Sequence, residues 1–149
     1  MLKHLFVEGE FMRRDRLLSG LDLEQVTARP GSAPHSIYDE LWHAAEWQRI
    51  VVESDEVLGD AWQKGGNPFP TAEPERLEQW QKQIDKFLRG SREAVAWGES
   101  VEGRGEELEP GWTVVDVLAS LAIHNAYHLG KIVALRQALG AWPPPSADQ

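Results

Sequence analysis

"TVVDVLASLAIHNAYHLGKIVALRQALG", Thr113 to Gly140, decides the fold. Thr113 followed three residues later by Asp116 has the form of an N-terminal capping box. Gly140 suits the position just past a helix end, and Pro143 to Pro145 forbid continuation. Between these signals lies one long helix. Val117, Leu121, Ile132 and Leu135 fall on one face, which should point into a core. His124 and His128 sit on that same face, four residues apart. Imidazole is a poor choice for plain packing, so the pair needs an explanation.

Outward from this helix, three more segments carry helical periodicity. The first runs from about Leu2 to Leu18, with Leu2, Leu5, Phe6, Phe11, Met12, Leu17 and Leu18 along one broad face. Gly20 and "TARPGSAP" then break the chain. The second starts at Ser36, where Ser36 and Asp39 form a capping-box pattern, and continues to about Val57. "GDAWQKGGNPFP" reads as loop from its Gly, Asn and Pro content. The third helix begins near Pro74 and runs to about Trp97, with Gly90 weakening its middle. A polar, Gly-rich connector, Gly98 to Gly111, leads to the fourth. Ser146 to Gln149 should be a frayed tail. No segment alternates with period two over a convincing length. The pattern predicts an all-α protein, a four-helix bundle occupying residues 1–149 as a single domain.

Composition narrows the function. A chain of 149 residues with 42% hydrophobic and 26% charged residues is globular in character. Its formal net charge of −9, with no compensating basic run, disfavours a nucleic-acid partner. The absence of cysteine excludes disulfides, thiolate metal sites and cysteine nucleophiles. The charged N-terminal stretch does not resemble a secretory signal, and no stretch approaches the roughly 20 apolar residues of a membrane span. A soluble, cytoplasmic protein without a membrane partner is the expectation.

On an α-helix, four residues place His124 and His128 one turn apart, about 6 Å along the axis. Two imidazoles so placed can converge on one metal ion. His43, about two turns into the second helix, is the candidate third ligand. His4 and His35 read as exposed residues or cap neighbours. The zinc-protease pattern H-E-x-x-H does not apply, because Asn125 stands where its glutamate would be.

"HSIYDELWHAAEWQ" and, far downstream, "SLAIHNAYHLGKIVALRQALGAW" together resemble the DinB/YfiT-like family of metal-binding four-helix bundles. In that family one histidine of the second helix and an H-x-x-x-H of the fourth bind a divalent metal. The resemblance puts those roles on His43, His124 and His128. Family members often carry Gln after the final Gly of the motif, where this chain has Lys131; its side chain could approach the site or snorkel outward. Some relatives are thiol-dependent S-transferases, others resemble isomerases or hydrolases, and many have no assigned reaction. Relatives are often dimers.

Three imidazoles leave a divalent ion at least one open position, and zinc, nickel, iron and manganese all suit three nitrogens. The implied function is a metal-dependent enzyme acting on a small molecule, with a low-molecular-weight thiol as co-substrate in S-transfer, or a hydrolase. The alternative is a non-catalytic bundle in which metal or hydrogen-bonded histidines pin two helices together. No catalytic residue is assigned. Asp39, Glu40 and Glu46, within about a turn of His43, read as a solvated helix face. Asn125 and Tyr127 read as packing residues, and Tyr38 as a weak candidate for a pocket hydroxyl. Among seven tryptophans, Trp47 and Trp80 are expected in the core, while Trp42 could equally wall a pocket. A homodimer is expected.

Overall fold

The computed structural model describes residues 1–66, 68–100, 105 and 107–146. Seven helical segments and one small hairpin occur among the described residues. The chain runs from a π-helical turn, His4–Glu8, into α1 (Arg14–Leu18) and α2 (Leu23–Thr27). Then come α3 (Ile37–Val52), α4 (Glu56–Gly65) and α5 (Leu77–Glu99). The antiparallel strands β1 (Glu107–Glu109) and β2 (Trp112–Thr113) lead directly into α6 (Val114–Ala138).

The long helices start where their caps predict. Ser36 accepts from the Asp39 amide while the Asp39 carboxylate accepts from the Ser36 amide, closing a capping box on α3. Thr113 and Asp116 close the same box on α6. α6 ends at Ala138, and Gly140 follows at φ +69°, the left-handed geometry expected past a helix terminus. α5 begins at Leu77 rather than near Pro74, capped through Gln79, whose side-chain oxygen accepts from the Arg76 amide.

Three expectations fail. The first segment is not one helix: Gly9 adopts φ +71°, which a residue with a Cβ resists, and the chain extends before α1 begins. Phe11, counted on the apolar face, is 97% exposed instead. The second helix ends at Val52, because Ser54 turns to φ +52°. The stretch read as loop, from Gly59, holds most of α4, whose cap is Asp55 accepting from the Leu58 amide. The hairpin is a small addition, too short for a period-two pattern to show. Of the connector and tail, residues 101–104, 106 and 147–149 lie outside the described residues.

α3 packs against both α5 and α6, so its sides are buried by two different neighbours. One core cluster gathers Leu18 and Val26 from the N-terminal helices, Ile37 and Leu41 from α3, Phe87 from α5 and Ile132 from α6. A second gathers Leu2 and Phe6 from the N-terminal turn, Ala94 from α5 and Leu118 and Leu121 from α6. Between these clusters runs a buried polar tie. Gln48 of α3 donates to the Phe87 carbonyl at 2.9 Å and accepts from Asn125 at 2.8 Å and Ser91 at 3.2 Å. It links α3, α5 and α6, and Asn125 adjoins His124. The tie thereby sets the register in which α3 and α6 face each other.

Candidate metal centre

α3 presents His43 and α6 presents His124 and His128, which their spacing places on one side of the helix. The packing brings all three together: one ring nitrogen from each lies within 4.8 Å of the others. His43 Nε2 and His124 Nε2 are 3.2 Å apart. Two nitrogens bound tetrahedrally to one ion at about 2.0–2.1 Å stand about 3.3 Å apart, so this spacing fits a shared cation. His43 is 2% exposed and His128 4%.

Partners on the far side of two rings fix their protons. The carbonyl of Pro68 can only accept, so His43 Nδ1, 2.9 Å away, carries the hydrogen and leaves the Nε2 lone pair facing the cluster. Glu40 Oε2 accepts from His128 Nδ1 at 2.5 Å, which likewise frees His128 Nε2. His124 Nδ1 is buried without a hydrogen-bond partner.

Burial favours the neutral form of two of the rings, His124 and His43. Burial pushes the His124 pKa down to about 4, helped by the charges that His128 and His43 would carry. Burial also lowers His43, against the pull of the Pro68 hydrogen bond. Burial acts to raise Glu40, but the hydrogen bond and charge of His128, with Lys131, outweigh it and hold the carboxyl below its usual range. Lys131 donates to Glu40 Oε1 at 3.3 Å and lies 4.8 Å from the centre of the Tyr127 ring. The neutral imidazole is the form in which histidine binds a metal, and the freed Nε2 atoms of His43 and His128 face the cluster. The donor set therefore fits a divalent ion.

Aromatic rings cover the cluster. Trp62 of α4 stands 4.8 Å from His43 and 5.7 Å from Trp47, and stacks on Trp42 at 6.3 Å. Phe69 stacks on His43 at 4.8 Å and on His35 at 3.5 Å. His35 is thus one ring removed from the cluster, not simply exposed. His4 lies elsewhere, bound to Glu10 at 3.0 Å.

The other residues singled out in the sequence divide. Asp39 and Glu40, read as solvated, are 3% and 2% exposed. Asp39 pairs with Arg29 while completing the α3 cap, and of these two only Glu40 reaches a histidine. Glu46 pairs with Lys86 and Arg49. Trp80 is a core residue at 2% exposure, whereas Trp47 is half-buried with its ring 6.2 Å from His124. Tyr127 is 61% exposed, edge-on to His128, so it does not pack in the core. Tyr38 packs beside the first core cluster. Trp62, Phe69 and Pro68 were missed because their segment read as loop. The signal for Trp62 was present: Asp55 as a cap, then Leu58 and Trp62 four residues apart.

A helical protein with three converging histidines on two of its helices defines a class to which the chain can now be assigned. It belongs to the DinB superfamily, whose family model matches residues 8–132 and so includes all three histidines. No curated protein and no solved structure matches the chain.

Proposed function

We propose that the chain is a metal-dependent enzyme acting on a small molecule, with His43, His124 and His128 as the ligands of one divalent ion. The observation that carries this is the convergence of three imidazole nitrogens within 4.8 Å, two of them held in the ligating tautomer from behind. Zinc, nickel, iron and manganese all suit the donors. Such an ion, when bound with an open position, lowers the pKa of a thiol or a water. Thiol-dependent S-transfer is preferred to hydrolysis. Glu40, the carboxylate that reaches the cluster, already holds His128 and Lys131, so an incoming nucleophile that acidifies readily suits the site. Residues 1–149 are read as one cytoplasmic DinB-type domain. The broken segment from the N-terminal turn through α1 takes the place of a first helix in a four-helix bundle.

The aromatic cover favours a second reading. With Trp62 and Phe69 over His43, the histidines could equally staple α3 to α6 without catalysis. One experiment separates the two. Protein loaded with cobalt(II) should bind about one ion per chain, and loss of any one of His43, His124 or His128 to Ala should abolish tight binding, while His4→Ala does not. A millimolar small thiol should then add an intense near-ultraviolet sulfur-to-cobalt absorption. An unchanged spectrum removes S-transfer, and inaccessibility to water as well leaves the staple.

We propose further that the functional unit is a homodimer formed through the outer face of α6. Ile123 is 73% exposed, Trp112 48% and Phe11 97%. Ala119, Ala122, Ala126 and Gly130 line two adjoining grooves of about 410 and 350 Å³ on that side. A protruding Phe11 beside an unfilled groove is self-complementary about a twofold axis. The half-buried Arg14, lining both grooves, donates to the Leu5 carbonyl and could meet an acidic group of the second copy. Light scattering should give a dimer for the wild type and a monomer for Ile123→Glu.

A further inference from the structure

Glu40 has a peculiar position. Its backbone lies one turn before His43 on α3, yet its carboxylate serves a different histidine, on α6, 88 residues away in sequence. One oxygen accepts from His128 at 2.5 Å and the other from Lys131 at 3.3 Å. The side chain is 3% exposed, and a carboxylate buried this deeply is costly unless its partners earn it a purpose. Lys131 is not needed there for solubility. A lysine with 38% of its side chain exposed could have reached water, but it leans over Tyr127 towards Glu40.

We propose that Glu40 and Lys131 are an antagonistic positioning pair that sets how tightly the histidine cluster holds its divalent cation. Glu40 fixes the His128 ring with Nε2 towards the cluster and supplies the negative charge that attracts the ion. Lys131 offsets part of that charge and so works against binding. Neither side chain is a ligand. The Glu40 carboxylate sits behind His128, on its Nδ1, and is not part of the converging trio, and an ammonium has no lone pair to give. The inference rests on the metal-binding reading of the three histidines.

A purely structural role for the pair makes a different forecast from this electrostatic one. If the pair merely held α3 to α6, loss of either partner would weaken metal binding through the same loosening. If charge matters, the two losses act with opposite sign. Nickel(II) alone is the probe, titrated against a competing chelator and followed by quenching of Trp62 and Trp47, which stand beside the histidines. Glu40→Gln keeps the size and an accepting oxygen but removes the charge. It should weaken nickel binding by about 10- to 100-fold. Lys131→Met should tighten binding by about 3-fold or more, and Lys131→Arg, which keeps the charge, should stay within about 2-fold of wild type.

Wild-type affinity in Glu40→Gln, or a shift of both variants in one direction, overturns the proposal. Should Glu40→Gln fail to fold, Lys131→Met decides alone: tighter binding supports the pair, unchanged or weaker binding rejects it. His128→Ala separates this inference from the reading beneath it. If that variant binds nickel as well as wild type, the histidine site itself is wrong and the pair falls with it. If it loses nickel while Glu40→Gln does not, the site stands and only the pair is rejected.

Discussion

Single residues carry the site's geometry, and a glycine is among them. A Cβ built on Gly90 would lie 2.6 Å from Gln48 Nε2, inside any tolerable contact. From sequence, Gly90 is only a defect in α5, worth about 1 kcal/mol to replace with alanine. In the structure it is the space that lets Gln48 reach the Phe87 carbonyl, Ser91 and Asn125. Gly90→Ala should therefore destabilise the protein, by about 1–3 kcal/mol in urea denaturation, as the overpacked amide gives up buried hydrogen bonds. A gain in stability would show that Gln48 has another place to go. His124 and His128 were legible because helical spacing is local, and they must share a face wherever α6 goes; His43 was legible only as a mid-helix histidine that the family resemblance joins to them. Glu40 was not legible, because joining His43 to His124 and His128 says which helices meet but not that a carboxylate one turn from His43 turns inward to His128. A carboxylate on the outside of a solvated helix and one buried against another helix look alike in sequence.

At the scale of elements, α3 and α6 announced themselves through caps that are chemical and local. The N-terminal segment and α4 did not. Apolar residues from Leu2 to Leu18 satisfy a helical period, but the break turns on the backbone of Gly9. In α4, Gly59 and Asp60 look like loop residues, and no residue of the helix is fully buried. What holds α4 is tertiary: Trp62 against Trp42, Trp47 and His43, with the His43 ring bonded to the Pro68 carbonyl beyond its end. Its ten residues are too few to persist as an isolated helix in water. Trp62→Ala should then strip amide-exchange protection from residues 56–65 selectively, while α3 and α6 keep theirs. Equal loss across all three helices would mean that Trp62 supports the global fold rather than one cover.

For the whole molecule, acid is the informative stress. The folded state holds His124 neutral down to about pH 4 and lowers His43 as well, through burial. An unfolded histidine takes its proton near 6.5. Between these values the unfolded chain binds more protons, so stability must fall as pH is lowered from about 6.5 towards 4. Glu40, held below its usual range, adds loss in the same direction at the acidic end. Melting in chelator should show a lower midpoint at pH 5 than at pH 7, and His124→Ala should flatten that difference. A flat wild-type profile would mean that the rings are hydrated in the folded state. Composition could show that the chain is globular and acidic, but not that its histidines are dry; that depends on which rings close over them. The wholly buried Arg136 raises a matter of timing. Its guanidinium donates to the carbonyls of Leu17 and Ser19, 119 and 117 residues upstream, and to Ala141. At about 5–20 residues per second of synthesis, the start of the chain waits on the order of 10 s for that clasp. His43 waits similarly for His124, 81 residues later. A nascent chain has no completed histidine trio until α6 is made, so a ribosome stalled before α6 would hold a chain in which the three rings cannot yet converge.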